Sequence, residues 1–130
     1  MAKAKKVKQI NFETRNKVGL LSTVTTALSS ARINIKAICA YGMDKKAYFM
    51  LVTSNNAKAR KILAKLKAKT TEDDVIAVEM SSGAGQLKKA AVKISNAGID
   101  IQYMYGTVGK GKTSVCIFKT DNDRKALKVL

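Results

Sequence analysis

Residues 106–113 read GTVGKGKT, so Gly106 is followed by four residues and then by Gly111, Lys112 and Thr113. This spacing satisfies the phosphate-binding loop pattern. In that loop backbone amides cradle phosphates, the lysine reaches the terminal ones and the hydroxyl holds magnesium. The loop must join a strand to a helix, because the phosphates rest on the helix N-terminus. The residues after Thr113 are SVCIFKT, in which Val115 and Ile117 alternate with Cys116 and Phe118. That is a strand pattern, rich in β-branched and aromatic residues. Only seventeen residues come after Thr113, too few for a nucleotide-binding domain. The stretch therefore reads as a Gly- and Lys-rich hairpin turn, and no nucleotide is expected there.

Other chemistry is scarce. There is no histidine, which removes the commonest general base and the commonest metal ligand. No pair of carboxylates stands in a recognisable acid/base setting, and there is no nucleophile elbow. Cys39 and Cys116 lie far apart in apolar runs without a CxxC pair. They read as two buried thiols in a reducing, cytoplasmic compartment. No catalytic residue, metal or cofactor is expected, and the chain does not read as an enzyme.

The 130 residues include 46% hydrophobic ones, so a packed core is feasible. The basic start, MAKAKKVKQI, is not followed by an apolar h-region and does not read as a secretory signal. No apolar run approaches the ~20 residues of a membrane span. Net charge is +16. Residues 1–69 carry 16 Lys and Arg against 2 Asp and Glu, and residues 70–130 carry 9 against 7. Along the chain the excess therefore sits in the first half, in KAKKVK and in KARKILAKLKAK (58–69). Such a field could attract nucleic acid, anionic membrane or small anions, but a lysine-covered solvated helix face plus a frayed tail is the preferred reading.

The elements that must position any site come twice. GLLSTVTTALSSARINI (19–35) lies over GQLKKAAVKISNAGIDI (85–101) at an offset of 66. YFMLVTSNNAKARKIL (48–63) lies over VCIFKTDNDRKALKVL (115–130) at an offset of 67. One residue has been gained in the loop between. In the first copy VKQINFE (7–13) alternates, with Ile10 and Phe12 inward and Gln9, Asn11 and Glu13 outward. Leu20, Leu21, Val24, Ala27, Leu28 and Ala31 recur at helical spacing. INIKAICA (33–40) alternates with Ile33, Ile35 and Ala37 inward. Gly42 and Asp44 mark a hairpin turn, and residues 47–54 form a third strand. A second helix opens at Asn55 or Asn56 as N-cap and faces Ala59, Ile62, Leu63 and Leu66 inward. A closing strand for this copy must come from AKTTED (68–73). The second copy repeats the order from VIAVEM (75–80) and stops at Leu130 without a last strand. The order strand, helix, strand, strand, helix, strand is the split βαβ, ferredoxin-like arrangement: an α+β fold with helices on one face of an antiparallel sheet. Two units are expected, residues 1–72 and 73–130. Each is too small to bury a large core alone. The open sheet edge predicts a homodimer or higher homo-oligomer, to which KAKKVKQ could lend a strand.

With the repeat in hand, the chain resembles a tandem pair of ACT domains. The family carries a turn of the type Asn-x-Pro-Gly-x-Leu opening helix one, and a helix that ends in a small residue followed by Ile-Asn-Ile. The counterparts here are NKVGLLSTVTTALSSARINI (16–35) and SGAGQLKKAAVKISNAGIDI (82–101). The likeness covers about residues 7–130. Val18 and Ala84 stand where the family has proline, and Ser82 where it has Asn or Asp.

The resemblance implies a regulatory module that binds an amino acid or related small carboxylate at the interface between ACT units, as a ligand sensor or allosteric element. The expected contacts are Asn16 and the amides of Gly19, Leu20 and Leu21 for the carboxylate, with Gly85, Gln86 and Leu87 in the second copy. Helix starts of this kind favour anions. Strand two of a neighbouring unit would bring Asn34 and Ile35, or Asp100 and Ile101, to the ammonium group. The side chains of Leu21, Leu28, Leu87 and Ile94 read as core. Implied partners are a small amino acid, a second copy of the chain and a metabolic enzyme under its control; no membrane partner is expected. The alternative is a basic ferredoxin-like module that binds nucleic acid or oligomerises without a small ligand. Nucleic acid is disfavoured, because on the outward sheet face only Tyr48 is placed to stack a base.

Overall fold

The computed structural model describes residues 3–81, 83–107 and 113–130. The elements in chain order are β1 (Lys3–Arg15), α1 (Leu20–Ser30), β2 (Ile35–Met43), β3 (Lys46–Thr53), α2 (Asn56–Lys65), β4 (Lys69–Ser81), α3 (Gln86–Asn96), β5 (Ile101–Thr107), β6 (Thr113–Thr120) and α4 (Asp123–Val129). None of the described helices is long and apolar enough to cross a membrane. The expected turn at 106–113 lies largely outside the described residues. Its flanks, β5 and β6, pair antiparallel, so the segment after Thr113 is a strand and not a helix.

The chain divides into two compact units, one of residues 8–73 and one of 74–130 together with 1–7. In the first unit the strand order is β2-β3-β1-β4, with residues 69–73 of β4 closing the sheet. β1 pairs antiparallel with β3, placing Ile10 opposite Leu51 and Phe12 opposite Phe49. The two phenyl rings stack at 4.6 Å. Val24 and Leu28 of α1 and Ala59 and Leu63 of α2 bury against this face. Helical and strand periodicity thus meet in one core. Arg60 ties the closing strand down: its Nε donates to Thr70 Oγ1 at 2.8 Å and Nη1 to Glu72 Oε1 at 2.9 Å.

The second unit repeats this plan around Ile76, Val78, Ala90, Ile94, Cys116, Phe118 and Ala126. No strand follows α4 among the described residues. Residues 3–7 of β1 stand in this unit instead, beside β4, where Ala4 packs on the core and Lys6 Nζ lies 3.2 Å from Asp74 Oδ2. The sequence reading leaves this unit without its last strand; the N-terminal segment occupies that side of β4. The partition also evens out the charge. Residues 8–73 carry 13 Lys and Arg against 4 Asp and Glu, and residues 1–7 with 74–130 carry 12 against 5, giving +9 and +7.

The duplication extends to single hydrogen bonds. Asn55 and Asn122 cap α2 and α4, each accepting at 3.1 Å, from Lys58 N and Lys125 N. Thr53 Oγ1 donates to Asn56 Oδ1, and Thr120 Oγ1 to Asp123 Oδ1, both at 2.6 Å. Lys58 Nζ and Lys125 Nζ donate to the carbonyls of Ala31 and Ala97 at the ends of α1 and α3. These side chains satisfy helix-end groups that lack intrahelical partners.

Several face assignments from the sequence need correction. A bulge falls between Ile35 and Ala37, and another between Ile101 and Tyr103. The extra residue reverses the alternation, so Ile35 lies opposite Thr53 whereas Ala37 lies opposite Val52, on the other face. Gln9 is buried rather than outward, and its amide donates to Asn11 Oδ1 at 2.7 Å. Leu66 is exposed rather than inward.

Candidate functional site

The connection from β1 to α1 is a tight turn. Leu20 N donates to Lys17 O at 3.3 Å, and Gly19 between them has φ 86° and ψ 2°. That is the third position of a type II turn, which requires positive φ and so favours glycine. Gly19 is also the N-cap of α1, with no side-chain capping bond, and Thr23 N donates to its carbonyl at 3.0 Å. The second unit reproduces the turn: Gly85 has φ 87° and ψ −5°, and Gln86 N donates to Gly83 O at 3.4 Å.

This geometry changes which amides are free. Leu20 and Gln86, expected to offer theirs, spend them inside the turn. Among the described residues the unpaired first-turn donors are the amides of Leu21 and Ser22 in α1, and of Leu87 and Lys88 in α3. The first turn of α1 contains no acidic residue, so its positive end is uncompensated. Ser82 lies outside the described residues.

Asn16 fixes the turn to the neighbouring hairpin. Its N–H donates to Lys45 O at 2.9 Å, at the tip where Asp44 and Lys45 both have positive φ, 51° and 67°. Two such residues in a row make the hairpin expected at this point a two-residue one, with the twist that suits its strands. The Asn16 side chain lies against β2 at Gly42. A Cβ at position 42 would fall 2.9 Å from Asn16 Nδ2, so the close approach depends on glycine.

Beside the turn is a cleft of about 290 Å³, lined by four of the anticipated residues, Asn16, Gly19, Leu20 and Leu21. Its sheet wall consists of Ala40, Tyr41 and Gly42 of β2 with Ala47 and Phe49 of β3, and Lys17 stands at its edge. The wall residues escape sequence reasoning, which finds a turn by its glycine but not the strand it docks on. Only Gly42 leaves a signal, and it reads as a turn former. A second hollow, about 390 Å³, opens among Glu13, Arg15, Asp44 and Lys46. There Lys46 Nζ and Glu13 Oε1 already pair at 3.6 Å.

Asn34 and Ile35 do not join this cleft. Arg15, just before the turn, pairs with Lys46, whereas Ile35 pairs with Thr53. Seven residues of β3 separate the two ends, roughly 23 Å at the strand rise. Asn34 N donates to Ser54 Oγ at 2.9 Å, and the residue is exposed. Asp100 is placed alike, its N–H donating to Asp121 Oδ1 at 3.1 Å, and Ile101 pairs with Thr120. Within one unit the turn residues and the strand-two residues therefore occupy opposite ends of the sheet.

Other expectations change with the side-chain environment. Leu28 and Ile94 are buried as expected, but Leu21 is 53% exposed and Leu87 41% exposed, so neither is core. The helix pattern places Leu21 one position off the buried stripe of Val24 and Leu28. Cys116 is buried, and burial pushes its thiol pKa up; Cys39 is only half-buried. Tyr48 is not free to stack a base on its own, because its ring is stacked with that of Tyr41 at 5.2 Å.

Comparison with known proteins agrees with this architecture. A solved protein of Bacteroides thetaiotaomicron is 27% identical and superposes with a TM-score of 0.88 over 98% of this chain and 88% of that one. The ligand-free regulatory subunit of aspartate kinase from Thermus thermophilus gives 0.71 at 14% identity, over 98% and 93%. Aspartokinase III of E. coli, in complex with lysine and aspartate, gives 0.59 at 13% identity, over 98% of this chain and 31% of that one. The last two likenesses are of fold alone. No curated protein matches the chain in sequence. The family model described as an ACT domain pair matches residues 5–130, and the chain belongs to that family.

Proposed function

We propose that the protein is a non-catalytic regulatory module that binds an amino acid or related small carboxylate at the β1–α1 turn of an ACT unit. The observation that carries this reading is the turn of the first unit. There a left-handed glycine leaves the amides of Leu21 and Ser22 without acceptors beside a cleft of about 290 Å³. A carboxylate satisfies those donors and is favoured by the helix dipole. The volume suits a single small molecule, at the low end for ligand pockets.

The ammonium partner comes from Asn34 or Asp100 of a neighbouring ACT unit, since these residues stand too far from the turn within their own unit. The protein acts as a homodimer or higher homo-oligomer, with the turn 83–87 as an equivalent second site. The exposed apolar side chains of Val18 and Leu21 at the turn support a covering partner. The signal passes to an enzyme that the module regulates. Calorimetry against the twenty amino acids is the decisive experiment. Saturable binding that weakens in Gly42→Leu, which drives a side chain into the Asn16 position, is the expected result. Absence of any binding at millimolar concentration refutes the reading and leaves a basic oligomerisation module in its place.

A further inference from the structure

Resting on that reading, we infer that the first cleft accepts a ligand with an uncharged side chain and discriminates against a cationic one such as lysine. Its sheet wall is apolar, formed by Ala40, Ala47 and Phe49, while the Tyr41 ring alternates to the opposite sheet face beside Tyr48. Among the described residues the charged one lining it is a cation, Lys17, and none is a carboxylate. The acidic groups at this end of the sheet belong to the hairpin side. Glu13 lies 3.6 Å from Lys46 Nζ, and Asp44 sits at the hairpin tip in the other hollow. An ammonium-bearing side chain laid along this wall would exchange water for hydrocarbon without a counter-ion, next to a like charge.

Aromatic rings attract cations, but here that attraction is limited. Phe49 is buried with one face against Phe12, and Tyr41 has one face against Tyr48. Because Tyr41 and Tyr48 alternate to the opposite sheet face, the cleft offers a cation no free ring face. An uncharged aliphatic side chain meets no such penalty and covers the apolar wall instead. The overall likeness to an aspartokinase solved with lysine therefore does not transfer to ligand choice, which is set by the residues lining the site.

The second copy differs at the same positions. Lys17 corresponds to Gly83, Ala47 to Ser114 and Phe49 to Cys116. Both the edge charge and the large wall side chain are confined to the first unit, so the selectivity belongs to the first cleft.

The test is calorimetric titration of the full-length protein with L-norleucine and with L-lysine, whose side chains share an aliphatic stem and differ in the terminal ammonium. Norleucine should bind about tenfold or more tightly than lysine, the scale on which such pockets discriminate. Lys17→Glu, an exposed substitution, should shift the ratio about two- to fivefold toward lysine, as an exposed charge pair allows. Lysine binding as tightly as norleucine, or a ratio unmoved by Lys17→Glu, overturns the inference while leaving the ligand site standing. Binding of neither, nor of any other amino acid, overturns the ligand site itself and the inference with it.

Discussion

Replacing Val18 by proline should stabilise the protein. Val18 occupies the second position of the type II turn that Gly19 completes, where φ near −60° is required and proline is favoured. Its side chain is fully exposed, so a pyrrolidine ring displaces no packing. Its amide has no acceptor among the described residues, so losing the N–H breaks no bond. Lys17 before it lies outside any helix, which meets the steric demand of a following proline. With the folded-state terms near zero, the gain is the entropy removed from the unfolded chain, about 0.4–1 kcal/mol. With a urea slope of about 2 kcal/mol/M the midpoint should rise by roughly 0.2–0.5 M at unchanged slope. Val18 does not line the cleft, so amino-acid affinity should stay within about twofold or improve as the turn becomes more rigid. Equilibrium urea denaturation followed by circular dichroism, with calorimetry for the ligand, reads both quantities. A loss of stability above about 1 kcal/mol would mean that the backbone at Val18 is not in the conformation a type II turn demands, and the reasoning about the turn would fail with it.

Other outcomes depend on local geometry. Arg32 and Gly98 occupy the same position after α1 and α3, at φ 59° and 71°, so Arg32→Gly should raise the melting temperature and Gly98→Ala should lower stability by about 1 kcal/mol. Asn122→Ala removes the acceptor for Lys125 N and should cost about 1 kcal/mol in denaturant titration, with Asn55→Ala similar. Gly106→Ala would place a Cβ 2.7 Å from Cys116 Sγ and 3.0 Å from Val115 O, so a loss of about 1–3 kcal/mol should appear in thermal unfolding. Burial raises the Cys116 pKa above its ordinary 9.0, so the stability gained by keeping the thiol neutral is complete below that pH. It is lost as pH rises through the folded-state value, and Cys116→Ala should flatten the alkaline limb of a stability–pH profile.

The register of the repeat was legible because periodicity reports burial. Leu28, Ile94, Ile10 and Phe12 all lie where their spacing places them. Alternation cannot reveal a bulge, however, and one extra residue at Lys36 and at Gln102 moves Ala37 and Tyr103 to the other face. Helical spacing also places Leu21 inward, whereas the structure exposes it, because an amphipathic pattern does not state how far the sheet extends beneath it. At the site, Gly19 and Gly85 are legible as the glycines of a strand-to-helix turn, and their positive φ belongs to the structure. The amides of Leu20 and Gln86, which the helix start leads one to expect free, are taken up because the turn's own hydrogen bond reaches one residue into the helix. Tyr41, Gly42 and Phe49 were illegible as site residues: they meet the turn through strand pairing distant in sequence.

Because the fold is duplicated, the two copies serve as internal controls for one another. Positions where they agree hold the framework: Gly19 and Gly85 in the turns, Thr53 and Thr120 at the strand ends, Asn55 and Asn122 at the caps, Lys58 and Lys125 on the helix ends. Each pair keeps the same geometry in both units, so these positions hold what the two copies share, the helix-opening turn included. The positions lining the first cleft behave otherwise. Asn16, Lys17, Ala47 and Phe49 face Ser82, Gly83, Ser114 and Cys116 in the alignment of the copies. Phe49 could be ascribed to the core alone, since it stacks on Phe12. Lys17 cannot, being exposed, and neither can Asn16, whose side chain occupies the space that Gly42 leaves open. Architecture common to both copies does not require either residue. A difference confined to exposed and cleft-facing positions on an otherwise shared frame is what separate ligand preferences in the two units would produce, and exchanging residues 16–18 for residues 82–84 within the full-length protein should carry the ligand preference with them while leaving the unfolding midpoint nearly unchanged.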